Sequence, residues 1–217
     1  MLEAQYYKQG YRHIFGIDEA GRGPMAGPLV AAAVCLPLVN IPQLKEDLKG
    51  VKDSKRMTRL QRERAADKIK EIAIAWGIAE VTANEMPSVG NMTLVTLEAM
   101  RRALMNALSK TKQSKQPDVL LVDYYQLPGY EQIPQEHPPK GERQSLSIAA
   151  ASVLAKVYRD AKMIEYGKLY PEYGFEKHKG YATPAHLALL LKRGATPIHR
   201  LNYAPVKQAI EQGGFWE

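Results

Sequence analysis

The chain has one cysteine, Cys35, in 217 residues. No internal disulfide can form, and a reducing compartment is expected. Its setting, Leu29-Val30-Ala31-Ala32-Ala33-Val34-Cys35-Leu36, marks it as a small core residue rather than a nucleophile. That run is far too short to span a bilayer, and its position after two acids does not suit a signal peptide. A soluble, cytoplasmic protein is expected. No Ser-His-Asp or Cys-His arrangement offers a protein nucleophile, and no internal repeat or low-complexity tract is present. Acid is also in short supply: Asp and Glu number 23 against 30 Lys and Arg, a net charge of +7. The excess favours a polyanionic partner but is weak evidence alone. Hydrophobic residues, at 45 %, are enough for a substantial core. The length fits one large domain, or one with a small helical appendage.

The most telling segment is Ile14-Phe15-Gly16-Ile17-Asp18-Glu19-Ala20-Gly21-Arg22-Gly23-Pro24. A short apolar run reads as a buried strand and ends in two carboxylates. Burying such groups unpaired is costly, so they call for a cation, and clustered oxygen ligands suit a divalent metal. Neighbouring strand residues point to opposite faces, so Asp18 and Glu19 converge only if the chain kinks, as Gly21 permits. The glycines allow close backbone approach to a ligand, and Arg22 offers a fork suited to phosphate. Acids for metal beside a phosphate-friendly turn point to a metal-dependent nuclease.

Along the chain, residues 14–36 read as strand, turn, strand, most simply an antiparallel pair. Thr58-Arg59-Leu60-Gln61 has the capping-box pattern and starts a helix toward Glu71, with Arg59, Arg62, Arg64 and Lys68 on its exposed face. Ile72, Ile74, Trp76 and Ile78 alternate like a half-buried strand. Residues 92–108 form a helix with Leu94, Leu97, Met100, Leu104 and Leu108 on one stripe. Val119-Leu120-Leu121-Val122-Asp123 is a central strand closed by an acid. Residues 110–117 and 126–144 read as polar loops. Residues 147–166 are helical, and Thr183-Pro184 starts a helix that Gly194 stops. This order implies a mixed sheet with helices packed on it.

With these segments in view, the chain closely resembles bacterial ribonuclease HII over residues 12–206. The blocks that carry the resemblance are Asp18-Glu19-Ala20-Gly21-Arg22-Gly23, Asp53-Ser54-Lys55, Leu121-Val122-Asp123, Ile148-Ala149-Ala150-Ala151-Ser152 through Arg159-Asp160, His178-Lys179-Gly180-Tyr181-Ala182-Thr183 and Pro197-Ile198-His199-Arg200. The resemblance implies an α/β, ribonuclease H-like fold: a five-stranded mixed sheet flanked by helices, with residues 12–170 as sheet core and 171–217 as a helical part contributing to substrate binding. It implies endonucleolytic cutting of RNA in RNA–DNA hybrids, and incision 5′ of a ribonucleotide embedded in duplex DNA. It further implies two Mg²⁺ or Mn²⁺ ions on four acids, leaving 3′-hydroxyl and 5′-phosphate ends. Three of those acids match as Asp18, Glu19 and Asp123. The fourth, an Asp in the family, is Glu142 here, after Lys140-Gly141; a second departure puts Tyr124-Tyr125 where Gly usually follows the third acid.

By the same resemblance, the backbone of Gly21-Arg22-Gly23 reads the ribose 2′-hydroxyl, which distinguishes RNA from DNA. Tyr181 stacks on the sugar at the RNA-to-DNA junction. Ser54 and Lys55 contact phosphate, and His178 and Lys179 lie near the scissile phosphate. Asp160 is read as a structural acid with Arg159 as a neighbouring charge, and His199-Arg200 as fixing the C-terminal segment. His13 and His186 are not read as ligands. No replication-clamp contact is read from Gln212-Gly213-Gly214-Phe215-Trp216-Glu217, and a monomer is expected. Two alternatives stay open: another polynucleotidyl transferase of the same fold, such as a junction resolvase, and a catalytically impaired hybrid-binding module.

Overall fold

A computed structural model describes residues 1–51, 57–110 and 116–212. Five strands, β1 (Ile14–Ala20), β2 (Leu29–Cys35), β3 (Ala75–Val81), β4 (Val119–Val122) and β5 (Gln135–Glu136), form one sheet in the order β3-β2-β1-β4-β5. β1 pairs antiparallel with β2, as does β2 with β3, while β4 lies parallel to both β1 and β5. The expected mixed sheet is therefore present; its central strand is β1, and the run ending in Asp123 is the interior strand between β1 and β5.

Alternation along the strands sends side chains to two separate cores. Ile14, Val30, Ala32, Val34, Val119 and Leu121 face one side. There the long helix α7 (Leu146–Leu169) and α3 (Arg59–Ile72) cover them, with the short helices α1 (Leu2–Lys8) and α2 (Ile41–Asp47) at the rim. Phe15, Ile17, Leu29, Cys35, Leu120 and Val122 face α5 (Met92–Leu108). Cys35 is buried and its thiol is pushed up to about 12 by burial, which fits a core residue. β1 can sit against the start of α7 because residue 16 is glycine: a Cβ there would lie 2.1 Å from the Ser147 carbonyl carbon.

Thr58 caps α3 as expected, with its hydroxyl accepting from the Gln61 N–H and the Gln61 side chain accepting from the Thr58 N–H. Three local expectations need correction. The capped helix continues through Ile72, so β3 begins only at Ala75, and Ile74 is exposed. On α5 the buried stripe is Val95, Ala99, Met100, Ala103, Leu104 and Ala107, while Leu94 is exposed. Small residues on that stripe let the helix lie close to the sheet, and closeness outweighs side-chain size. The loop read over 126–144 also holds β5 and the short helix α6 (Gly141–Gln144). The remaining helices are α4 (Met86–Val89), α8 (Phe175–His178), α9 (Pro184–Arg193) and α10 (Ala204–Glu211), the last three after α7. No helix among the described residues is long and apolar enough to cross a membrane.

Candidate functional site

The acids gather where parallel β1 and β4 end. Asp18 is 7 % exposed and accepts from the Glu19 N–H at 2.7 Å. Burial, then the charges of Glu19 and Asp123, hold its carboxyl well above the usual range, and the Ser152 hydroxyl opposes this. Glu19 is pushed up to about 7 by burial and by Asp123, against the pull of Arg22. Its Oε2 is buried with no hydrogen-bond partner among the described residues. No sharp kink brings these acids into one field, since β1 runs through to Ala20 with Asp18 opposite Ala32 and Glu19 opposite Ala31.

Asp123 follows β4 directly; its N–H donates to the Ile17 carbonyl at 3.0 Å and its Oδ1 accepts from the Gly141 N–H at 2.7 Å. Half-buried Glu142 is the next residue on α6, so the Asp123–Gly141 bond brings its backbone to the same edge. Left-handed residues stand at both sides of this contact, Tyr124 at φ 65° and Lys140 at φ 55°. Tyr124 is 66 % exposed and meets Tyr125 edge-on, while the Arg22 guanidinium lies 5.2 Å from the Tyr125 ring centroid. Among the described residues no three of His, Cys, Asp and Glu close round a single point as a finished metal cage.

The Gly-Arg-Gly turn is held from behind by two buried arginines. Gly21 has φ 97°, a left-handed conformation, and a Cβ there would lie 2.1 Å from Arg159 Nε. Arg159 donates to the carbonyls of Pro28, Ala26 and Lys179 at 3.0, 3.2 and 3.1 Å. Arg200 donates to the carbonyls of Gly21, Arg22 and Gly27 at 2.6, 3.0 and 2.9 Å. Burial lowers the pKa of both guanidiniums, but they remain cations at any ordinary pH. Two readings are refined here. Arg159 does feel the charge of Asp160, as read, but the ion pairs of Asp160 are with Lys156 at 2.8 Å within the helix and with Arg62 at 4.0 Å. Arg200 fixes the turn as well as its own segment. Neither could be found from sequence, because the carbonyls they bind carry no side-chain signature.

A cavity of about 480 Å³ opens beside the acids, lined by Glu19, Gly21, Arg62, Ser152, Lys156 and Tyr181 among others. Arg62, expected on the exposed face of α3, points instead into this wall, with its side chain 17 % exposed. Tyr181 is half exposed, and a Cβ on Gly23 would lie 3.6 Å from its ring. Lys179 sits nearby in left-handed backbone, its pKa lowered by burial. His178 faces inward: its Nε2 lies 2.7 Å from the Tyr173 carbonyl and its Nδ1 accepts from the Gly180 N–H. Ser54 and Lys55, with the rest of their block, and residues 213–217 lie outside the described residues.

The model of the family described as ribonuclease HII matches residues 15–206. The chain belongs to the ribonuclease HII family. A curated ribonuclease HII from Halalkalibacterium halodurans is 44 % identical over 207 residues, spanning 95 % of this chain and 73 % of that one. The Thermus thermophilus ribonuclease HII is 41 % identical over 96 % of this chain and 94 % of its own. Among solved structures, ribonuclease H2 from Pyrococcus horikoshii superposes with a TM-score of 0.75 at 27 % identity, covering 92 % of this chain and 97 % of that one. A ribonuclease HIII solved with Mn²⁺ shares the fold, with a TM-score of 0.74 at 20 % identity over 95 % of this chain and 71 % of that one. This family member is an endonuclease of the ribonuclease H class.

Proposed function

We propose that this endonuclease cuts the RNA strand of RNA–DNA hybrids and nicks duplex DNA on the 5′ side of a single embedded ribonucleotide. The observation that carries this reading is a pair of orphaned polar atoms at one strand edge. Among the described residues, Glu19 Oε2 is buried without a partner beside two further acids, and Arg22 Nε is buried without one in the adjoining turn. An unpaired buried carboxylate oxygen wants a cation, an unpaired guanidinium nitrogen wants an anion, and a metal-bound phosphodiester supplies both. The donor set of Asp18, Glu19, Asp123 and Glu142 is all oxygen, which fits a hard divalent ion such as Mg²⁺ or Mn²⁺. Two such ions would supply the positive charge that activates water and stabilises the leaving 3′-oxygen, giving 3′-hydroxyl and 5′-phosphate ends.

The chain's own residues do the rest. Arg22 draws the phosphate to the acids, and the turn backbone of Gly21 and Gly23 reads the 2′-hydroxyl. Tyr181, over Gly23, stacks on the junction sugar and sets the scissile bond in line. Lys179 and His178 are read as lying near the scissile phosphate, and Ser54 and Lys55 as contacts to phosphate. We read the whole chain as one catalytic domain working as a monomer in the cytoplasm, with residues 171–217 contributing to substrate binding. Asp123→Asn tests the reading: turnover on a single-ribonucleotide duplex falls by far more than ten-fold, while affinity for an RNA–DNA hybrid is nearly unchanged. A variant that keeps more than about a tenth of the rate, about 1.4 kcal/mol of barrier, makes Asp123 peripheral.

A further inference from the structure

His186 and His199 are given no contact with substrate above, yet both are buried in the fold, and His186 lies against two residues that are, Tyr181 and His178. Their hydrogen bonds allow one assignment of protons. The Thr196 N–H donates to His199 Nδ1 at 2.9 Å, so that nitrogen is an acceptor and the ring proton sits on Nε2. His199 Nε2–H then donates to His186 Nε2 at 3.0 Å, which leaves the His186 proton on Nδ1. There it meets the Tyr181 carbonyl at 2.9 Å. The relay runs in one direction, from Thr196 to Tyr181, with every donor matched. Stacking of His178 on His186, at 4.2 Å between centroids, holds the middle ring in plane.

The next residue in the chain, Arg200, grips the carbonyls of Gly21 and Arg22. The same short segment is tied to the link between that turn and β2, through Arg200 N–H to the Met25 carbonyl and Gly27 N–H to the Ile198 carbonyl. One pentapeptide therefore reaches both halves of the ribose-reading surface. We infer that residues 196–200 form a positioning unit for ribose recognition, in which His199 and His186 set Tyr181 while Arg200 sets the Gly21–Arg22 turn. The inference rests on the reading of that turn and of Tyr181 as the 2′-hydroxyl reader. His186 and His199 are positioning residues, since they act only through Tyr181.

The experiment compares His186→Asn, whose amide can still donate to the Tyr181 carbonyl, with His186→Phe, which keeps a ring against His178 but donates nothing. Turnover and affinity are measured on a duplex with one ribonucleotide, for both variants, for Tyr181→Ala and for the double variant His186→Phe with Tyr181→Ala. His186→Phe should lower kcat at least ten-fold with duplex affinity within two-fold of wild type. His186→Asn should recover most of that loss, and the double variant should be no slower than Tyr181→Ala alone. Nitrogen-15 spectra of the wild type at pH 7 should show His186 protonated on Nδ1 and His199 on Nε2. Equal defects in the Asn and Phe variants, additive losses in the double variant, or the opposite tautomers overturn the positioning unit. A full-rate His186→Phe beside a crippled Tyr181→Ala does so as well and leaves the reading of Tyr181 intact. A full-rate Tyr181→Ala refutes that reading, and the inference with it. Where the Phe variant fails to fold, the wild-type tautomers decide.

Discussion

At the scale of single residues, the proposed reading gives Glu142 and Asp160 two roles that composition cannot separate. Glu142 follows the residue whose N–H binds Asp123, whereas Asp160 is already held by Lys156 and approached by Arg62. Glu142→Gln should slow cleavage ten-fold or more and leave the melting temperature unchanged. Asp160→Asn should lose stability, by about 1–2 kcal/mol, with a modest loss of rate. Paired melting curves and rates check both, and the assignment reverses if Asp160→Asn is the inactive one. Tyr124 tells a different story. Its φ of 65° is left-handed backbone, where a glycine would sit without strain and tyrosine bears it. With its ring mostly exposed, Tyr124→Gly should raise stability by up to about 1 kcal/mol, read as a higher denaturant midpoint. A lower midpoint would mean the edge contact with Tyr125 outweighs the strain.

At the scale of elements, the sequence announces whatever depends on local pattern. The capping box at Thr58, the helix over residues 92–108 and the apolar run before Asp123 were all legible, because each rests on neighbours a few residues apart. The acids and the Gly-Arg-Gly turn were legible for the same reason. What stayed hidden depends on long-range partners. The true buried stripe of α5 is chosen by the sheet it lies on, and Arg62 turns inward because α7 offers Asp160. Arg159 and Arg200 bind main-chain carbonyls far away in sequence, which no motif encodes. The histidine relay beside α9 belongs to this hidden class, and it leaves a pH signature. Burial pushes His186 down to about 4 and His199 to about 3, each lowered further by neighbouring histidines, His178 among them. Folded-state values below the ordinary 6.5 mean that the unfolded chain takes up protons the folded one refuses. This stability is therefore complete above about pH 6.5 and lost as pH falls toward 4. Between pH 7 and 5 each histidine accounts for about 2 kcal/mol of the loss. His186→Asn should lose correspondingly less over that interval in urea titrations, and an identical loss in variant and wild type would contradict the account.

At the scale of the whole molecule, the sheet delivers acids to one edge and the segment after α7 closes over that edge from behind. Residues from Met25, Gly180 and Arg200, far apart in the chain, meet there through main-chain bonds. The net charge of +7 adds attraction for a polyanion but no discrimination between RNA and DNA. On the proposed reading, discrimination comes from the turn and Tyr181, and chemistry from the acids. The most direct test is an end-labelled DNA duplex carrying one ribonucleotide, incubated with Mg²⁺, Mn²⁺ or excess chelator, beside an all-DNA duplex. The account predicts a single nick on the 5′ side of the ribonucleotide, with 3′-hydroxyl and 5′-phosphate ends, only when a divalent metal is present. Equal cutting of the all-DNA duplex, or full activity in chelator, would contradict it.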